Sequence, residues 1–266
     1  MRARSRVGLA VATAAVTAEA VLVHLGRTYG STAQERTAGL PGDELIAEPT
    51  AQTDHAVTID APAEAVWPWL VQMGWGQAGW YTARWVDRLL FPANGPSAPR
   101  IVPEWQEISV GTFIPDGPPE TECGLHVVVL EPERALVLRS NSHLPISWRD
   151  RARLDWTWAF VLTPLDYGRR TRFQFRSRWV TQPWWFTVGG RLVVVPADFV
   201  MSRDMLRGVK RRAERAAESR VILGGGGRAQ EDAWRDTRQH EWRLRPTSAR
   251  GSAAGAWGTT TLSSRS

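Results

Sequence analysis

The chain has a single cysteine, Cys123, in 266 residues, and a single lysine, Lys210, among its 33 basic residues. A lone thiol excludes a disulfide framework within the chain. No neighbour in the sequence supplies the His and Asn partners of a cysteine nucleophile. There is no phosphate-binding glycine loop, no HExxH and no cysteine pair, so neither a metal nor a nucleotide cofactor is expected. The central body also lacks an excess of either charge. The formal net charge is +6, but residues 207–266 hold 13 basic and 6 acidic residues, which leaves 20 against 21 for residues 1–206. Basicity therefore belongs to a C-terminal tail that acids interrupt. Nucleic-acid binding needs clustered charge and aromatics on one face, and it ranks last among the functions considered.

Tryptophan is abundant, with 15 in the chain. In GWGQAGWYTARW, residues 74–85, Trp75, Trp80 and Trp85 are spaced by five, a step that fits neither a helix face nor a strand face. With glycines at 74, 76 and 79, this reads as an irregular aromatic segment before a helix that begins near Thr82. That helix, TARWVDRLL, would carry Trp85, Val86, Leu89 and Leu90 on one face.

Four regions are expected. Residues 1–26 place Arg2, Arg4 and Arg6 before an apolar run, Val7 to Leu25, just long enough to cross a bilayer. Glu19 within the run costs roughly 2.5–3.5 kcal/mol on insertion scales. A single-pass anchor ranks first, a signal segment second and a soluble helix third. The basic flank would leave the rest of the chain extracytoplasmic, with a cytoplasmic domain as the alternative. Residues 27–53 read as a linker, 54–218 as the folded domain, and 219–266 as a disordered basic tail.

The domain opens with a strand, HAVTID, and a short helix with Pro62 in its first turn and Pro68 ending or bending it. Short apolar runs then alternate with turn residues, as in an antiparallel sheet. In RLDWTWAFVLTPL, Leu154, Trp156, Trp158, Phe160 and Leu162 share one face; in DYGRRTRFQFRSRWV, Thr171, Phe173, Phe175, Ser177 and Trp179 do. Pairing that keeps these faces together sets Trp158 opposite Phe175 or Ser177. The other face of the second strand, including Arg170, Arg172, Arg176 and Arg178, reads as solvated. A last helix with Pro196 near its start puts Val195, Phe199, Met205, Leu206 and Val209 on one arc, available to cover the aromatic wall.

Four blocks, TIDAPAEAVWPWLVQMG at 58–74, AGWY at 78–81, RIVPEWQEISVG at 100–111 and DFVMSRDMLRGVKRRAE at 198–214, resemble an uncharacterised bacterial branch of the START and polyketide-cyclase-like superfamily (SRPBCC). The resemblance spans roughly residues 38 to 215. It implies an α+β helix-grip fold: a curved antiparallel sheet of about six or seven strands wrapped on a long C-terminal helix, with two short helices after the first strand. It also implies an apolar cavity between sheet and helix, for a hydrophobic small molecule or a lipid. The expected lining is Trp80, Tyr81, Trp85, Glu104, Trp105, His126, Trp156, Trp158, Phe173, Phe175, Phe199 and Met205, with Trp80 and Tyr81 near the mouth. Carriage of such a ligand, free or tethered at a membrane, is the first reading and a cyclase- or dehydratase-like enzyme the second. Polar candidates for chemistry are Glu104, His126, His143, Asp155, Arg176 and Arg178; Glu104 reads as a buried acid or as an ordinary loop residue capping a helix, and His126, in an apolar strand, more commonly as a structural histidine than as a general base. No catalytic residue is assigned.

Overall fold

The computed structural model describes the backbone of residues 2–243. Side chains are described except in the first few residues, at positions 8, 9 and 90, and beyond Arg220. Two units are present, Met1–Arg220 and Val221–Ser266, each taken by itself. Of the second, only helical backbone is described, the end of a helix assigned to Val195–Arg243. The tail expected to be disordered is thus helical as far as Arg243, and residues 244–266 lie outside the described residues.

Strict alternation in the two longest strands organises the first unit. Strands β1 (Ala51–Ile59), β2 (Phe113–Pro115), β3 (Gly124–Glu131), β4 (Ala135–Ser140), β5 (Arg153–Leu165) and β6 (Arg170–Gln182) form one antiparallel sheet in the order β1-β6-β5-β4-β3-β2. Trp158 lies opposite Ser177, one of the two pairings the alternation allows. One inward row runs Thr53, Ser177, Trp158, Leu138, Val127 across five strands. The next row carries His55, Phe175, Phe160 and Leu136.

Helix α1 (Arg2–Thr28) and a short helix α2 (Ala33–Thr37) precede the sheet; α3 (Ala63–Val71) and α4 (Arg84–Leu90) follow β1. Helix α5 (Trp184–Gly189) and a π-helical turn at Gly190–Val194 lead into α6 (Val195–Arg243). The buried arc of α6 is Val195, Asp198, Ser202, Met205, Leu206, Val209 and Ala213, a stripe at helical spacing. It meets the inner face of the sheet in one apolar cluster that includes Trp80, Tyr81, Trp158, Phe160, Phe173 and Phe175. This is a helix-grip arrangement of the α+β class. Gly208 permits close approach, because a Cβ there would fall 2.1 Å from the Tyr81 carbonyl oxygen.

Pro68 does not end α3. It lies inside the helix, which continues to Val71 with Pro62 at its N-cap, one place before the first turn. In α4 the buried side is Val86 and Asp87, where Thr82 Oγ1 donates to Asp87 Oδ1, and Trp85 is 59% exposed. The expected apolar face of α4 is therefore turned outward at Trp85 and Leu89.

The arginine row is exposed at Arg170 but covered at Arg172, Arg176 and Arg178, which corrects the solvated reading for those three. Arg176 is 2% exposed and donates to Asp54 Oδ1 at 2.6 Å, to Asp43 Oδ2 at 2.6 Å and to the carbonyls of Glu35, Arg36 and Ala38. Arg172 grips both carboxylate oxygens of Glu35 at 2.7 and 2.9 Å, and Arg178 pairs with Asp43 at 3.0 Å. Residues 27–53, which look like a linker in the sequence, are laid across the outer face as a strap. Thr32 caps α2 through a capping box with Glu35. Ile46 is buried, and Gly42, at φ 88°, lies so close to β4 that a Cβ would fall 2.6 Å from Val137 Cγ1. Strand β1 begins at Ala51, four residues earlier than the alternation suggested, because Thr53 and Asp54 pair with β6.

Strand β1 and helix α6 fix the end of α1. Neutral His55, held down to about 4 by burial despite its bond to Gly26, donates from Nε2 to the Gly26 carbonyl at 2.6 Å. Gly26 also abuts Val195 of α6. Residues Ala10–Thr28 are long and apolar enough to cross a membrane, at a mean hydropathy of 1.2.

Two expectations follow. Arg176→Met leaves Asp43 and Asp54 without their cation in a dry setting, and should destabilise the full chain by roughly 3–5 kcal/mol, as read by denaturant unfolding. Arg170→Met, at the exposed end of the row, should change little. Trp158→Ala should cost about 3–5 kcal/mol, because that ring meets those of Trp80, Trp156, Phe160 and Phe175 at 4.9–6.2 Å between centroids.

Candidate functional site

The ends of β2 and β4 and the start of β3 lie side by side, because the three strands are antiparallel neighbours. Pro115 pairs with Gly124, Asp116 N–H bonds the Cys123 carbonyl at 2.9 Å, and Ser142 Oγ both accepts from Gly124 N–H and donates to Gly124 O. This edge gathers Asp116, Cys123, Ser140 and His143, which are 27 residues apart in sequence at the extremes. His143 Nε2 donates to Asp116 Oδ2 at 2.8 Å and its Nδ1 bonds Ser140 Oγ at 2.7 Å. The ring stands edge-on to Trp156, 4.9 Å between centroids. Burial alone would lower the His143 pKa, but the Asp116 carboxylate and the adjacent Cys123 sulfur outweigh it and hold the imidazole up to about 9. At neutral pH the ring is an imidazolium with both N–H groups engaged.

This cluster lies on one side of an open cavity of about 840 Å³. Phe91, Pro92 and Ala93 form one wall; Leu144, Pro145 and Ile146 form another. The volume is in the range that holds a small organic molecule. The glycine-jointed segment buttresses it: Trp75 N–H bonds the Pro115 carbonyl at 2.8 Å and Trp75 Nε1 donates to the Ala93 carbonyl at 3.1 Å. Behind the cavity, Trp156 Nε1 donates to Ser177 Oγ, and the indole N–H groups of Trp69, Trp80 and Trp158 are buried without an acceptor. Burial pushes the Asp198 carboxyl, on the sheet-facing arc of α6, up to about 7, and its Oδ2 has no partner. Two other hollows are present. A groove of about 600 Å³ on the outer face runs past His126 and the Arg139–Asp155 pair, and a crevice of about 320 Å³ lies beneath the 93–97 loop beside Trp80.

The residues expected to line an interior cavity divide accordingly. Trp80, Tyr81, Trp158, Phe173, Phe175 and Met205 are packed in the core, with Trp105 and Trp156 at its margin. The Tyr81 hydroxyl donates to the Trp69 carbonyl at 2.8 Å and accepts from Gln72 at 3.0 Å, and Arg212 lies 4.6 Å from its ring centre. Phe199 packs against Tyr29 and His55 beneath the end of α1. Trp85 and Glu104 are exposed. His126 lies on the outer face opposite Arg139, since Leu125 and Val127 take the inward places of β3. Neither Glu104 nor His126 is therefore the inward acid or base that the enzyme reading assumed. Asp155 also faces outward and grips Arg139 in a two-point pair at 2.6 and 2.9 Å. The sequence offered His143 as one polar residue among several; Asp116, Ser140 and Asp198 were not singled out. Cys123 does have a histidine beside it, supplied by the strand order rather than by sequence proximity. Among the described residues no group of three His, Cys, Asp or Glu side chains is set to hold a metal.

No family model and no curated protein matches the chain. Solved structures similar to it include a protein from Mesorhizobium loti, 17% identical, covering 62% of this chain and 98% of that one at a TM-score of 0.35. A Helicobacter pylori protein is 12% identical over 66% of this chain and 96% of its own, with a TM-score of 0.41. A point mutant of Thalictrum norcoclaurine synthase, solved with a transition-state analogue, is 13% identical over 60% and 93%, with a TM-score of 0.33. Likeness at this level says nothing about the reaction or ligand of this chain.

The His143 imidazole should titrate near 9 by NMR, well above the ordinary 6.5. Because the folded value is raised, its stabilising contribution is full below about pH 6.5 and disappears as pH rises through about 9. Asp116→Asn should bring the midpoint down.

Proposed function

We propose that the chain is a START- or polyketide-cyclase-like binding domain that holds a hydrophobic small molecule or lipid, with α1 tethering it to a membrane. The supporting observation is the open, largely apolar cavity with the His143–Asp116 pair on one side. Apolar walls favour a hydrocarbon body, and an imidazolium beside them favours a carboxylate, phosphate or enolate-like oxygen on the ligand. The cavity opens between strand ends rather than deep between sheet and α6, where Trp158, Phe160 and Phe175 pack against one another.

A cyclase- or dehydratase-type activity is the second reading, and the same pair favours it. With Asp116 holding Nε2, the Nδ1 proton of the protonated ring could reach a developing oxyanion through the Ser140 hydroxyl to which it is bonded. The carrier reading needs only the charge, whereas the enzyme reading needs the proton to move.

Solvent extraction of the purified full chain followed by mass spectrometry should release an amphiphile with one polar end. A fluorescent long-chain fatty acid should bind, and His143→Gln should weaken it roughly 10- to 150-fold, the equivalent of a charge-assisted bond worth about 1.5–3 kcal/mol. Its methyl ester should be affected little. Wild-type binding of the acid should fall as pH rises through about 9. Absence of both an extractable ligand and probe binding would reject the reading.

A further inference from the structure

A second surface of the first unit is apolar and open. Helix α5 and the π-helical turn after it read WWFTVGGRLVV, with one charged residue, Arg191, and no acid. Trp184 is 77% exposed and Val193 68%, and Trp185, Leu192 and Val194 are exposed beside them. Trp148, from the β4–β5 connection, extends the surface by edge contact with Trp185 at 6.2 Å. A soluble face would not gather tryptophans and branched aliphatics in this way without something to cover them.

The location of the patch identifies the cover. Helix α1 packs against the π-helical turn, and its Gly26 is pinned between His55 and Val195, the residue that follows the turn. The apolar window of α1 runs to Thr28, so its end lies within about one helical turn, roughly 5 Å, of that pin. If α1 crosses a bilayer, the patch beside its last turn stands at the level where chain and lipid headgroups meet. Exposed Trp with flanking Arg is the chemistry of that boundary, and Asp150 is the exposed acid beside Trp148. Arg191 is held by the Thr50 carbonyl, and Arg151 and Arg153 are exposed just after Trp148.

We infer that Trp184–Val194, together with Trp148, is a lipid-docking surface that seats the domain on the bilayer beside α1. Ile146, two residues before Trp148, lines the 840 Å³ cavity, so the docked loop is also a wall of the ligand site. An apolar ligand could then pass between membrane and cavity without crossing open water. This rests on the anchor reading of α1.

The test uses the full chain in vesicles of phosphatidylcholine and phosphatidylglycerol, carrying an environment-sensitive fluorophore on a single introduced thiol in a common Cys123→Ser background. Val193→Cys reports the patch, Val16→Cys the middle of α1, and Tyr167→Cys the fully exposed β5–β6 turn. A nitroxide on the lipid chains should quench the labels at 193 and 16 several-fold more than the label at 167, and aqueous iodide should do the reverse. Lipid quenching at 16 with iodide quenching at 193 would overturn the docking surface and leave the anchor standing. Lipid quenching at 193 without 16 would remove the anchor on which the inference rests, and overturn it. Protection at 193 from both quenchers means protein covers the patch, and overturns the inference. Absence of fatty-acid binding by the chain that keeps Cys123, with the expected quenching pattern in the labelled chains, would sink the proposed function alone and support the surface.

Discussion

Arg176 is the point on which the outer face of the sheet depends. A guanidinium does not give up its proton in a protein, so once β6 places it under the strap it must be matched by anions and carbonyls from several segments. Asp54 comes from the adjacent strand, Asp43 from a 3-10 turn of the strap at Asp43–Ile46, and three carbonyls from α2 and the residue after it. Burial pushes the Asp54 carboxyl above its ordinary value, with bonds from Gln52 and Arg176 offsetting part of the effect. Glu35 is the opposite case: Arg172 outweighs burial and holds it down to about 2. The outer face is thus assembled by charge, whereas the inner face is assembled by ring packing.

That division explains what could be read in the sequence. Period-two alternation in β5 and β6 marked the aromatic wall, restricted the hairpin register to two choices and called for a covering helix, and α6 supplies it. The same alternation could not say whether the arginine side was wet. The partners of Arg176 lie 122 to 141 residues away, in a segment without apolar periodicity, and their carboxylates acquire meaning only once the strap is laid down. In α4 the apolar residues suggested one buried face, but the Thr82–Asp87 hydrogen bond and burial of Val86 turn Trp85 outward.

The site was less legible for a related reason. Asp116, Cys123, Ser140 and His143 are unremarkable in their local contexts, and none belongs to a recognisable spacing. They meet because β2, β3 and β4 are consecutive neighbours in the sheet whose ends coincide. His126 has the more suggestive surroundings, an apolar run, yet a strand reverses side at every residue and Leu125 and Val127 claim the interior. Residue type in a strand says little about function until the parity of its face is known.

The two ends of the sheet are built differently, and this bears on where a ligand can enter. At one end Lys210 reaches the Thr58 carbonyl at 2.8 Å, Arg170 bridges Asp60 and Asp166, and the Asp60 N–H bonds Glu214, so α6, β1 and β6 are tied together. At the other, β2 is only three residues long and the enclosing chain is loop, from Phe91 to Asn94 and from Leu144 to Ser147. Loops have fewer backbone bonds to break on opening than strands do. A histidine with a raised pKa at the tied end would serve only stability, since nothing could reach it. At the loop end the same ring borders an open apolar cavity, where its charge remains available to a ligand.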